Sequence, residues 1–276
     1  MKNRNLLVVI LLLFPLISSA QFLEDSDNFV DGLVQKAVIG GAKLPTSSLA
    51  AKATVRLDIT REQGLNTCAG TLIGKDFVLT AAHCLNDNEE PNNKVQSVAL
   101  RFNGHGELAA SSWIIHPDFK MVNEVTGEIV IERLVHDVAL VKLQKEAPSD
   151  AVIAELPDEE MPLGSSKKLL LVGFGLTDVK DEDYAGAMNS GWAMGKMLSV
   201  DGDEDHQIEL TASQLCDGDS GGWAFQVLGK RLILVGVNSN VNETCSADSR
   251  AMSVFFHLSW IQNTVKEMRS TLEISI

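Results

Sequence analysis

Short runs of apolar and β-branched residues recur along most of the chain, each closed by turn residues, and this spacing limits the folds open to it. The runs fall at 53–59, 70–73, 77–81, 95–102, 138–143, 169–174 and 232–237. Each is strand-length, and no amphipathic helical segment separates one from the next. That pattern predicts an all-β sandwich or pair of barrels rather than alternating βα units. No internal repeat is visible. Only residues 259–269 carry a helical period, with Ser259 as a cap and Trp260, Ile261, Thr264, Val265 and Met268 near one face. A length of 276 residues allows one large domain or two small ones.

The N-terminus sets the compartment. Lys2 and Arg4 precede an apolar run at 6–17, broken by Pro15, and Ser18, Ser19 and Ala20 follow. Charged, apolar and small segments in that order predict a secretory signal peptide over 1–20. The run is shorter than the ~20 apolar residues a spanning helix needs. The expectation is a secreted or periplasmic protein, free to form disulfides, with no stable membrane association once the signal is removed. Residues 21–37 set Glu24, Asp25, Asp27 and Asp31 against Lys36 and read as an acidic pro-segment. With 23 basic against 37 acidic residues, the net charge of −14 argues against nucleic-acid partners. Two acidic clusters, 178–183 and 201–205, read as solvated loops without regular calcium-ligand spacing.

Three local sequences carry the chemistry: Thr80-Ala81-Ala82-His83-Cys84, then His136-Asp137-Val138-Ala139-Leu140, then Gly218-Asp219-Ser220-Gly221-Gly222. Through these motifs the chain resembles the chymotrypsin/trypsin-like serine peptidases, from Val38-Ile39-Gly40-Gly41 to the helix at Ser259. The resemblance implies two six-stranded antiparallel β-barrels, about 38–148 and 149–258, followed by the helix at 259–269. It also implies a minimally bridged, bacterial-type member, a serine-type endopeptidase with protein or peptide substrates and no cofactor.

The residue types suit that chemistry. A serine hydroxyl is a weak nucleophile until a neighbouring base takes its proton. His83, with an ordinary pKa near 6.5, can accept and return that proton. A buried Asp137 would fix the imidazole tautomer and stabilise the imidazolium. Glycines around Ser220 let the N–H groups of Gly218 and Ser220 converge on one oxyanion, where each donor is worth about 10²–10³ in turnover. His136 adjoins Asp137, but strand neighbours point to opposite faces, so it reads as structural or solvent-exposed. His105, His116, His206 and His257 lack ligand spacing, and no metal site is expected.

Four cysteines allow three pairings; the resemblance selects Cys68–Cys84 and Cys216–Cys245, each clamping a catalytic loop. It further implies a zymogen, cut ahead of Val38 so that the new ammonium pairs with Asp219. Ala37 stands where a basic residue is common, which leaves the identity of an activating protease open. By the same resemblance Gln214 lies at the base of the substrate pocket, and Ser239 bonds the substrate backbone. Val241 narrows the pocket toward small uncharged side chains. Ser249 or Ala251 is expected on the other wall, and Asp217 or Asp248 offers a competing negative charge. Trp223 replaces a usual proline. Two rival functions share the fold: a catalytically silent binding protein, and an esterase or acyltransferase using the same three residues.

Overall fold

The structure, a computed structural model, describes residues 42–87, 93–126, 129–158, 167–175, 188–198, 207–211, 215–216, 218–240 and 249–273. In chain order the first elements are β1 (Ala42–Lys43), α1 (Leu49–Ala53), β2 (Thr54–Arg61), β3 (Gly64–Gly74), β4 (Phe77–Thr80), β5 (Val95–Phe102), β6 (Glu107–Ile115), β7 (Lys120–Thr126), β8 (Ile129–Val135) and β9 (Ala139–Leu143). There follow β10 (Lys167–Gly173), β11 (Asn189–Leu198), β12 (Gln207–Thr211), β13 (Trp223–Leu228), β14 (Arg231–Asn240), β15 (Ser249–Ser253) and α2 (Val254–Glu273). No helix among the described residues is long and apolar enough to cross a membrane.

Two closed six-stranded antiparallel barrels result. The first runs β2-β3-β4-β9-β6-β5, with the β7–β8 hairpin as a separate two-stranded sheet. The second runs β11-β10-β13-β14-β15-β12 and closes because β12 also pairs with β11. Full closure leaves no open edge within either ring. The first strand, β1, pairs not with its sequence neighbours but with β11, placing Ala42 opposite Ser190.

The period of two in the strands explains how the barrels join. On β10, Leu169 and Leu171 point into the second barrel with Ile208, Ile233, Val235 and Ala251. Leu170 and Val172 point the other way and join Trp223, Phe225 and Val237 in a cluster continuous with the first barrel's Val55, Leu57 and Leu140. The unbroken apolar run on β10 therefore reflects burial on both faces. Trp223, wholly buried, donates its indole N–H to Thr54 Oγ1 at 2.8 Å across the seam, and the Thr54 hydroxyl donates in turn to Ala50 O at 2.8 Å.

Helix α2 starts five residues before the expected cap, and Ser259 is an exposed residue inside it. The buried stripe Val254, Leu258, Ile261 and Met268 continues the helical period backward, and that packing overrides the cap signal. Near its far end, buried Lys142 of β9 donates to Met268 O at 2.7 Å, satisfying one carbonyl of the last turns.

Replacing Trp223 with Phe removes the donor to a buried hydroxyl, an effect of about 1–3 kcal/mol. Urea unfolding of Trp223→Phe should show a loss of at least that size, since the smaller ring also leaves space at the seam. A variant as stable as the parent would show that the seam does not rest on this contact.

Candidate active site

The register of the first barrel brings His83 and Asp137 together. Antiparallel β4 and β9 set Thr80 opposite Ala139, so the chain leaving β4 and the chain entering β9 run past each other at one barrel end. His83 lies three residues beyond Thr80 and Asp137 two before Ala139. The Asp137 carboxylate accepts the His83 backbone N–H at 2.8 Å and His83 Nδ1 at 2.7 Å. A third donor comes from the other barrel: Ser239 Oγ, on β14, bonds Asp137 Oδ2 at 2.6 Å. Asp137 is fully buried, while the His83 side chain is 24% exposed and can meet a substrate.

Burial by itself would raise the pKa of Asp137. The charge of His83 and the bonds from its ring, Ser239 and the His83 backbone outweigh it and leave the carboxylate below its ordinary value. Nδ1–H held toward Asp137 leaves Nε2 of His83 as the basic nitrogen.

Ser220 comes from the turn that leads into β13. Its carbonyl accepts Ala69 N–H at 2.8 Å, which ties this turn to β3 of the first barrel. Gly221, at φ 73°, sits in the left-handed region, and a Cβ there would collide with Thr80 Oγ1, Ala69 O and Ala81 N. Only glycine lets the serine turn approach the β4 end this closely. Gly218, at φ 92°, needs glycine for the same backbone reason. The N–H groups of Asp219, Gly221 and Gly222 donate to Cys216 O, Asn238 O and Asp219 O. Those of Gly218 and Ser220 make no such bond among the described residues.

Asp219 is wholly buried beneath this turn. Its carboxylate accepts Gly175 N–H at 2.8 Å and Cys216 N–H at 2.9 Å. A Cβ on Gly173 or Gly175 would strike the carboxylate, so the Gly173-Phe174-Gly175 sequence shapes its chamber. The sequence reading passed over these glycines, although their place after an apolar run was a usable signal.

Other expected residues fall out differently. Cys68 and Cys84 form a disulfide beside His83. Cys216 is also disulfide-bonded, but its expected partner Cys245 lies outside the described residues. So do Val38, Gln214, Val241, Asp217, Asp248, His206 and both acidic loops. Ser239, expected in the pocket, turns its hydroxyl to Asp137. Ser249 Oγ accepts Leu215 N–H at 2.9 Å, and Ala251 packs inside the second barrel.

His136 is structural, though not by strand alternation. It occupies a bend before β9 at φ 52°, a region histidine enters more readily than most residues. Its ring stacks on His116 with centroids 4.6 Å apart, and its Nδ1 lies 3.1 Å from His257 Nε2. Burial, with a smaller contribution from neighbouring His136, pushes His116 down to about 4. His116 and His257 are far apart in the chain and meet because β6 ends where α2 begins.

The family model described as Trypsin matches residues 38–263. Elastase family member 1 of Macaca fascicularis is 24% identical over 253 residues, covering 83% of this chain and 89% of that protein. A kallikrein 1-related peptidase-like b4 of Mus musculus is 30% identical over 220 residues, covering 72% and 81% respectively. The solved structure of HL collagenase superposes with a TM-score of 0.63 at 21% identity, covering 83% of this chain and 98% of that one.

Ser239→Ala removes one of three bonds that favour the ionised Asp137. A lowered carboxylate contributes stability that is complete above its unfolded pKa, about 3.9, and lost as pH falls through the folded value. The variant should lose about 1.5–3 kcal/mol at pH 7, and its acid unfolding midpoint should move to higher pH. Circular dichroism followed against pH reads both; an unchanged acid midpoint would deny the hydroxyl that role.

Proposed function

The chain belongs to the trypsin family of serine peptidases, and from that premise we propose that it is a secreted endopeptidase working through His83, Asp137 and Ser220. The observation that carries the reading is the buried Asp137 carboxylate, bonded to His83 at two points and to Ser239 of the opposite barrel. Family membership makes it a serine-type hydrolase acting on proteins or peptides.

In the proposed mechanism Ser220 Oγ attacks the scissile carbonyl while its proton passes to His83 Nε2. Asp137 keeps Nδ1 protonated and stabilises the imidazolium. The N–H groups of Gly218 and Ser220 receive the oxyanion. His83 then returns the proton to the leaving amine, and the acyl group stays on Ser220. Water, deprotonated by His83, attacks the ester and releases the acid, restoring the serine hydroxyl.

Maturation follows from the first residues of the domain. Residues 1–20 are read as a signal and 21–37 as a pro-segment, cut by an activating protease to expose Val38. The position of β1 supports this. Lys43 pairs with Asn189, which pairs in turn with Gly173, whose Cα borders the Asp219 carboxylate. Two strand spacings separate them, ~10 Å. The four residues from Val38 to Gly41, ahead of Ala42, can span up to ~14 Å, enough to bring a new ammonium to Asp219. A buried ion pair there would hold the Gly218–Ser220 turn, since an unpaired buried charge is costly.

The pocket reading rests on Gln214 and Val241. A neutral Gln214 offers a cation no counter-charge, and Val241 fills space that a large side chain needs, so cleavage falls after small uncharged residues.

A fluorophosphonate probe tests the whole reading. Active protein should begin at Val38, label at one serine, and turn over alanine amides faster than arginine amides, whereas Ser220→Ala should fold and neither label nor hydrolyse. Labelling retained in Ser220→Ala, or full activity with Gln21 as the first residue, would refute it.

A further inference from the structure

Three histidines meet on the flank of the site, drawn from elements far apart in the chain. His116 follows β6, His136 occupies the bend between β8 and β9, and His257 lies in the first turn of α2. One ring nitrogen from each lies within 4.8 Å of the others. The rings contact one another, with centroid separations of 4.6 Å for His116–His136, 5.5 Å for His116–His257 and 5.3 Å for His136–His257. Trp260 closes one side, its ring 4.9 Å from that of His116. None of the three serves the peptidase mechanism.

The hydrogen bonds fix which nitrogens offer lone pairs. His257 Nδ1 lies 2.7 Å from Ser253 O, an acceptor only, so Nδ1 carries the proton and Nε2 presents its lone pair. That lone pair points at His136 Nδ1, 3.1 Å away. Two nitrogens so placed share one proton or one metal ion. In a tetrahedral zinc site with bonds of 2.0–2.1 Å, neighbouring nitrogens stand ~3.3 Å apart, close to the separation found here. The Ser253 carbonyl already supplies the outer contact that orients a ligating imidazole. His116 completes the set by turning its ring inward, a broad and soft torsion for histidine. Its Nδ1 now accepts Asp118 N–H at 3.2 Å, a bond that water can replace because Asp118 is exposed.

We propose that His116, His136 and His257 form a binding site for a zinc-class transition-metal ion, with a water molecule as the fourth ligand. Imidazole nitrogens suit zinc, copper and nickel, whereas calcium and magnesium demand oxygen ligands. On binding, the ion replaces the proton between His136 and His257, which leaves to solvent. It then joins the end of β6, the bend beside Asp137 and the start of α2 through bonds stronger than the existing contacts. The site needs no turnover, so it stands or falls independently of the peptidase reading.

The test uses the chelator-treated full chain, titrated first with cobalt(II) and then with zinc(II). One equivalent of cobalt should give the intense visible bands of a tetrahedral site, and zinc should abolish them. His136→Asn, whose side chain tolerates the positive φ, and His257→Gln should each weaken binding at least tenfold, while His105→Gln and His83→Ala should not. Should a variant misfold, zinc protection of the unaltered chain from diethylpyrocarbonate decides, with modified histidines located by mass spectrometry. Protection confined to His116, His136 and His257 supports the site. The absence of tetrahedral bands, protection of His105 or His83 instead, or binding unchanged in both site variants would overturn it.

Discussion

The buried carboxylate of Asp137 is the interaction on which the arrangement depends. A charge with no exposed surface is tolerable only when its oxygens are met by donors. Here the donors come from two barrels: His83 from the first and Ser239 from the second. The requirement to satisfy one carboxylate thus fixes the imidazole's orientation and the relative placement of the barrels at the site. Removing either partner would take from a fully buried charge donors that it needs.

The rest of the seam supports that geometry at lower electrostatic stakes. Trp223 bonds Thr54, and the Ser220 carbonyl accepts Ala69 N–H. Gly221 lets the serine turn approach the end of β4 without collision. These contacts bring the serine loop to the histidine loop, and among the described residues no backbone carbonyl takes the Gly218 or Ser220 N–H. Catalytic electrostatics of this kind work because the dipoles are set before the reaction begins. The barrels provide that setting through backbone register more than through flexible side chains.

Much of this was legible in the sequence, and the exceptions have physical causes. Each of the seven apolar runs falls inside a strand, to within a residue at its ends, because buried β-branched stretches declare themselves. Strands such as β6, with Ala110, Ser111 and Ser112, and β11, with Gly191 and Gly195, carry little apolar signal and were invisible. Their places are set by pairing with stronger neighbours. The Thr-Ala-Ala-His-Cys and Gly-Asp-Ser-Gly-Gly motifs singled out His83 and Ser220 because local backbone demands constrain their neighbours too. The bond from the Ser239 hydroxyl to Asp137 was not legible, because a motif does not reveal where a hydroxyl points. The three-histidine cluster escaped notice because its members are far apart in the chain and meet only through tertiary packing.

If Asp137 governs the site, its charge must matter more than its shape. Asp137→Asn keeps the volume but reverses what the side chain can offer His83, favouring the wrong imidazole tautomer. Steady-state hydrolysis of a peptide amide by the matured variant at pH 7 is the most direct test. The account requires kcat to fall about 10⁴-fold while the folded structure persists; a fall of less than tenfold in a folded variant would contradict it.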